Sequence, residues 1–147
     1  MASLIPKHVK REIIEGFPFG TGGWVAETWK IMLLKSTYTP NAAHQFVSDL
    51  HPATYEIVDT GGVYTAGGVA IAGKAAVADG NNYYLDATDK VIGTGATLNY
   101  RYAALFQDTG FPATSKIRAI IDFVTDQIVV NGTSTIKWNA LGIIYLS

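Results

Sequence analysis

The stretch Thr97–Gln107, TLNYRYAALFQ, decides the fold class. Leu98, Tyr100, Tyr102, Ala104 and Phe106 fall on one face and Thr97, Asn99 and Arg101 on the other. A helix of 3.6 residues per turn cannot sort apolar and polar side chains this way, whereas a strand with a period of two does so automatically. The aromatic and β-favouring content of the run agrees with its period.

Shorter runs on either side follow the same rule. Thr28–Leu34 (TWKIMLL) sets Trp29, Ile31 and Leu33 on one face and carries Met32 and Leu34 on the other, the pattern of a strand covered on both sides. Gly68–Ala78 (GVAIAGKAAVA) reads as a strand interrupted by a bulge or bend at Gly73. Lys116–Phe123 (KIRAIIDF) places Ile117, Ala119, Ile121 and Phe123 inward and Lys116, Arg118 and Asp122 outward. Asn131-Gly132 lies between Gln127–Val130 and Thr133–Trp138, and Asn-Gly favours the positive φ angles of a tight turn, so a hairpin is expected there. Gly142–Leu146 closes the chain as a last strand. Turn signals at Gly61-Gly62, Gly67-Gly68, Asp79–Asn82, Asp108–Gly110 and Asn131-Gly132 recur at short intervals. The expectation is a mainly β protein: an antiparallel β-sandwich or barrel-like domain with an extended N-terminal arm and one or two short helices. The helices are placed at Pro40–Leu50, with Thr39 as N-cap and Phe46, Val47 and Leu50 buried, and at Lys7–Glu15.

The composition supports this reading and excludes other classes. The chain has 147 residues, 48% of them hydrophobic and only 16% charged, with a formal net charge of −1. That is one domain's worth of sequence, too apolar for disorder and without the basic field that holds nucleic acid. There are no cysteines, hence no disulfide, thiolate metal site or cysteine nucleophile. No stretch approaches the length of a membrane span. The N-terminus, MASLIPKHVKREIIEGF, carries its charges behind a short apolar pair, the wrong order for a secretory signal. Residues 1–24 stand outside the strand pattern and divide the chain into an N-terminal arm and a body, 25–147. The arm carries Leu4, Ile5, Phe17, Phe19 and Trp24 beside Lys7, Lys10 and Arg11. So many large apolar groups dock either on their own domain or on a partner, and these eight residues are the candidate partner-binding set.

Constellations for chemistry are weak. Gly20–Gly23 lacks the lysine and the spacing of a phosphate loop. His44 and His51 flank Asp49 without metal-ligand spacing, and read as surface histidines. Asp86 and Asp89 sit in a polar DATDK segment without the calcium-loop pattern. No base stands near a recognisable nucleophile turn, so the protein reads as a non-enzyme without a cofactor or metal. Tyr38, Tyr64, Tyr83 and Tyr84 border turns and form the one pattern compatible with a carbohydrate-binding sandwich.

Four blocks in order, WKIMLLKSTYTPNAAHQFVSDL (29–50), YTAGGVAIAGK (64–74), YRYAALFQDTGFPATSKIRAIIDF (100–123) and IKWNALGIIYL (136–146), resemble a family of small virion proteins of tailed bacteriophages. The resemblance covers roughly residues 29–147, and residues 1–28 fall outside it. It implies a capsid cement (decoration) protein that binds the major capsid protein on the capsid exterior, with tail, neck or fibre-base components as neighbours in class. It also implies a virion location after synthesis in the bacterial host cytoplasm. Low charge and many aromatics, together with that role, point to a homo-oligomer, a trimer first, in which like subunits bury each other's apolar surface and repeated arms add avidity. Neither nucleic acid nor membrane is expected as a partner.

Overall fold

The computed structural model describes residues 2–4, 6–7, 23–80, 82–140 and 142–146. The protein is mainly β and all its strand pairs are antiparallel. In chain order the elements are β1 (Ala2–Leu4), α1 (Gly23–Ala26), β2 (Trp29–Leu34), a 3-10 turn (Val47–Leu50), α2 (Pro52–Tyr55), β3 (Val69–Ala70), β4 (Ala75–Asp79), β5 (Asn82–Asp86), β6 (Lys90–Gln107), β7 (Lys116–Ile136) and β8 (Ile144–Leu146). Five strands form one sheet in the order β1-β7-β6-β2-β3, and β4-β5-β8 form a second. Gly73, at φ 63°, breaks the Gly68–Ala78 run, so that β3 joins the first sheet and β4 the second.

The frame is the β6–β7 hairpin. Eighteen residues of β6 would span about 60 Å if straight, while a compact chain of this length has a radius of gyration of about 15 Å. Bulges let such a strand curve and twist, and the register of the pair shifts at several points. Tyr100 pairs with Gln127 but Tyr102 pairs with Asp122, so Phe123–Asp126 stand opposite Arg101 alone. Val124 takes φ 73° in this bulge, and its N–H donates to Asp122 Oδ1 at 2.7 Å. Here the alternation changes sides: Leu98 and Tyr100 enter the core between the sheets, whereas Tyr102, Ala104 and Phe106 enter a second core on the opposite face.

The first core joins Trp24, Trp29, Ile31, Leu33, Leu98, Tyr100, Ala103, Leu105 and Ile121 to Leu85 of the second sheet and to Ala87 just beyond it. The second core packs Met32, Leu34, Tyr102, Phe106, Ile117 and Ile120 under Tyr38, Val47 and Leu50. β2 therefore is covered on both faces, as its apolar pattern requires.

The single face expected for Leu98, Tyr100, Tyr102, Ala104 and Phe106 is thus divided between two cores, and three further expectations are corrected. Asn131-Gly132 makes no hairpin, because the segments on either side pair in succession with β6 rather than with each other. Asn131 alone takes a left-handed φ of 45°, giving a bulge in which Val130 and Asn131 oppose Thr97, and the Thr97 hydroxyl accepts the Asn131 N–H at 3.1 Å. Arg118 is buried rather than outward-facing. Leu105 pairs with Ala119 and Phe106 with Ile117, so Arg118 is the extra residue of a bulge; its guanidinium donates to Gln107 Oε1 at 2.8 Å and lies 6.0 Å from the Trp29 ring centre. Finally, Pro40–Leu50 is helical only over Val47–Leu50, followed by α2. The Asp49 carboxylate accepts the N–H groups of Gln45 and Phe46, holding that stretch in a non-helical turn, and the N-cap position falls to Phe46 rather than Thr39. The helix expected over Lys7–Glu15 lies, apart from Lys7, outside the described residues.

Candidate functional site

Between the part of the long hairpin remote from its 108–115 turn and the loops that brace β2 lies the surface least explained by folding. β3 is two residues long and pairs with β2 only at Lys30 and Ile31. Beyond it, the exposed edge of β2 is completed by the 55–64 loop. Leu33 N–H donates to the Tyr64 hydroxyl at 3.0 Å, Ile57 N–H donates to Leu33 O at 3.1 Å, and Lys35 N–H donates to Tyr55 O at 2.9 Å. The Tyr64 hydroxyl in turn donates to Glu56 Oε1 at 2.7 Å, and the same oxygen accepts Gly67 N–H at 2.8 Å and Gly68 N–H at 3.2 Å. Burial, with the Glu56 carboxylate beside it, pushes the Tyr64 hydroxyl far above the ordinary phenol range.

A second carboxylate shapes the rest of the loop. Asp59 accepts N–H groups from Gly61, Val63, Tyr64 and, across the loop, Thr97 of β6. These bonds, those from Tyr64 and Thr97 foremost, lower its pKa to about 2. Gly61 lies so close to β6 that a Cβ there would stand 1.9 Å from Gly95 O. The loop is thus fastened to the outer part of the hairpin.

What this fastening presents is a cleft of about 510 Å³ lined by Ile57, Val58, Thr60, Leu98, Ile128 and Val130, among others. Val58 is 78% exposed, Ile128 68% and Val130 75%. Register accounts for the two β7 residues: Val129, opposite Leu98, packs on the first core, and its neighbours Ile128 and Val130 therefore point outward. Val91 and Thr135, opposite each other nearer the end of the hairpin, are also exposed. Neither Val91–Tyr100 nor Gln127–Ile136 contains a charged residue. The charged group in the lining of the cleft is Lys35, whose ammonium donates to Thr54 O at 2.9 Å, and the rest is mainly apolar, a surface that suits a protein partner.

The residues expected to bind a partner are distributed differently. Trp24 is only 4% exposed; its ring stands edge-on to Trp29 at 4.6 Å, and its indole N–H is shared between Ala75 O and Asp86 O, both at 3.0 Å. Trp24 is therefore a core residue that ties α1 to the second sheet, and not part of a binding arm. Leu4 is half-buried against the second core, while β1 pairs with β7 over Asp122–Ile120. Lys7 is exposed and its N–H donates to Ala42 O at 3.2 Å. Ile5, Lys10, Arg11, Phe17 and Phe19 lie outside the described residues.

Tyr38, Tyr64, His44, Asp49 and Asp89 serve the architecture. Tyr38 and Tyr64 are buried, which removes them from a sugar-binding face, and the Tyr38 hydroxyl meets His44 Nδ1 at 2.9 Å. Asp89 accepts Trp138 N–H at 3.0 Å. Among the described residues no group of three or more His, Asp or Glu side chains is placed to hold a metal ion, and no helix is long and apolar enough to cross a membrane. Sequence reasoning did not single out Val58, Ile128 or Val130; the signal available for the latter two was the uncharged run around them. No family model, no curated protein and no solved structure matches this chain.

Proposed function

We propose that this protein is a non-enzymatic structural component of a tailed-bacteriophage virion, seated on the capsid exterior, where it binds the major capsid protein and stabilises contacts between capsomers. The observation that carries the reading is the outward apolar face of the long hairpin, braced by the Glu56 and Asp59 loop, with no charged residue over Val91–Tyr100 and Gln127–Ile136 and Lys35 beside it. β architecture with a mainly apolar face is what a protein needs when its task is to add buried area between neighbours. The stretches that carry the resemblance support the same reading, because their residues build the fold. YTAGG (64–68) supplies the Tyr64 hydroxyl and the Gly67 and Gly68 amides that hold Glu56, and Asp108–Ser115 forms the turn of the hairpin. Lys7, Lys10 and Arg11 would meet acidic capsid surface and tune the rate of association.

The test is co-sedimentation of the purified protein with virions stripped of it. Stoichiometric rebinding to the shell, weakened when Lys7, Lys10 and Arg11 are changed together to Glu, is the expected result. Binding to detached tails with none to shells would replace this reading by a tail, neck or fibre-base component. Deleting residues 1–24 is not a clean control, since it removes Trp24 from the core and β1 from the sheet.

A further inference from the structure

Asn131-Gly132 sits between two breaks in the β6–β7 ladder. Ile92 pairs with Ser134, Ala96 with Gly132 and Leu98 with Val129, so Gly93–Gly95 stand opposite Thr133 alone and Val130–Asn131 opposite Thr97 alone. Positive φ angles mark both breaks, 93° at Gly95 and 45° at Asn131. Asn131 is exposed, and its backbone N–H rather than its carboxamide is the group that bonds the Thr97 hydroxyl. Gly132 has no side chain to shield its backbone nitrogen. In an unbroken ladder the main chain of an Asn-Gly pair is held by its neighbours on both sides. Here the Ala96–Gly132 pair is isolated, and the glycines around it let the segment open locally without unfolding the domain.

We infer that Asn131 is a site of spontaneous modification in the folded protein, its carboxamide converted to a carboxylate through attack by the Gly132 backbone nitrogen. Solvent base takes the Gly132 N–H proton as the nitrogen bonds to Asn131 Cγ. The Cγ–Nδ2 bond then breaks, and Nδ2 leaves as ammonia with a proton from water. Water opens the resulting cyclic imide at Cγ to give aspartate, or at the backbone carbonyl carbon to give isoaspartate, whose main chain runs through Cβ and Cγ. Water is the one co-reactant, and nothing is oxidised or reduced. Either product places a negative charge in Gln127–Ile136, which carries none. The charge arises beside Gly95, whose carbonyl abuts Gly61 in the loop that Asp59 shapes. Isoaspartate also lengthens the main chain by one carbon, at a bulge where β7 already holds one residue more than β6, so the pairs on either side keep their register. The inference does not rest on the proposed function.

The test is incubation of the full-length protein in mildly alkaline buffer, natively and in guanidinium chloride, followed by tryptic peptide mapping with mass spectrometry. Cleavage after Arg118 and Lys137 isolates peptide 119–137, in which Asn131 is the only asparagine. The native protein is expected to yield this peptide one mass unit heavier, resolved by chromatography into aspartate and isoaspartate forms, before the peptides holding Asn41, Asn99 or Asn139 change. Were unfolding of the whole domain required, the native rate would fall below the unfolded rate by at least about 10³-fold, the inverse of the unfolded fraction of an ordinary domain. A smaller ratio is expected, because local opening suffices. Gly132→Ala is expected to slow conversion about tenfold by crowding the attacking nitrogen. Gly132 holds no positive φ, and the added Cβ would lie 3.1 Å from Val129 Cγ1, which a small shift of that side chain relieves. Native protection of about 10³-fold or more overturns the inference, as does a folded Gly132→Ala that converts as fast as the wild type. Should Gly132→Ala fail to fold by circular dichroism, the comparison of native and unfolded wild type decides the matter.

Discussion

Tyr64→Phe removes one oxygen atom and leaves the ring in place, so it isolates the polar joint that fixes the 55–68 loop to β2. In the native protein that hydroxyl accepts Leu33 N–H at 3.0 Å and donates to Glu56 Oε1 at 2.7 Å, and all three groups are buried. After the change, Leu33 N–H has lost its acceptor on the side of β2 where β3 does not reach, at a cost of about 1–3 kcal/mol for a buried donor without a partner. Glu56 keeps the Gly67 and Gly68 amides but loses a hydrogen bond to a charged acceptor, about 1.5–3 kcal/mol. The two losses share one atom and do not add fully, so about 3 kcal/mol in total is expected. For a domain of this size that lowers the thermal midpoint by about 9 °C, at about 3 °C per kcal/mol. Tyr100→Phe is the matched control: its hydroxyl is also buried and meets the Ser134 hydroxyl at 2.8 Å, and its loss should cost about 1 kcal/mol. The assay is thermal and urea unfolding followed by circular dichroism. The account of the loop is refuted if Tyr64→Phe melts no lower than Tyr100→Phe.

Other outcomes follow from the same geometry. Trp24→Ala should destabilise the fold by about 3–5 kcal/mol, as for other buried aromatic truncations, whereas a binding-arm tryptophan would leave the melting temperature alone. Asp59 has a folded-state pKa of about 2, below its unfolded value of about 3.9. Its contribution is therefore complete above about pH 4 and is lost as pH falls toward 2; Asp59→Asn should flatten acid unfolding in that window, and an unchanged acid transition counts against its role. Gly61→Ala should be strongly destabilising, because its Cβ would fall 1.9 Å from the backbone oxygen of Gly95. By contrast, Ile128→Lys/Val130→Lys should shift monomer stability by no more than about 0.5 kcal/mol, as at other exposed positions.

Much of the architecture was written in local pattern. The two-sided apolar character of Thr28–Leu34 is a property of the strand itself and survives in β2; the alternation of Thr97–Gln107 marked a strand correctly, but the bulge opposite Arg101 puts Tyr102, Ala104 and Phe106 on the face opposite Leu98 and Tyr100. What local pattern could not specify is which strand each run would pair with. Asn131-Gly132 has the same backbone preferences in a hairpin turn and in a bulge, and only the presence of β6 alongside the whole of β7 chose the bulge. Arg118 was assigned outward by counting in twos, and one extra residue in the ladder turned it inward toward Gln107 and Trp29.

The candidate site divides along the same line. That Val91–Tyr100 and Gln127–Ile136 carry no charge is a fact of sequence. That the two runs pair side by side, that Val129 faces the core while Ile128 and Val130 face outward, and that Val58 is brought beside them by two buried or hydrogen-bonded carboxylates are facts of tertiary structure. Trp24 shows the converse. As an aromatic in a glycine-rich N-terminal stretch it looks available to a partner, but the carbonyls that accept its indole N–H belong to Ala75 and Asp86, more than fifty residues away. Sequence determines the face a side chain occupies relative to its neighbours in the strand; exposure depends on what the rest of the chain lays over that face, and that is decided only when distant segments meet.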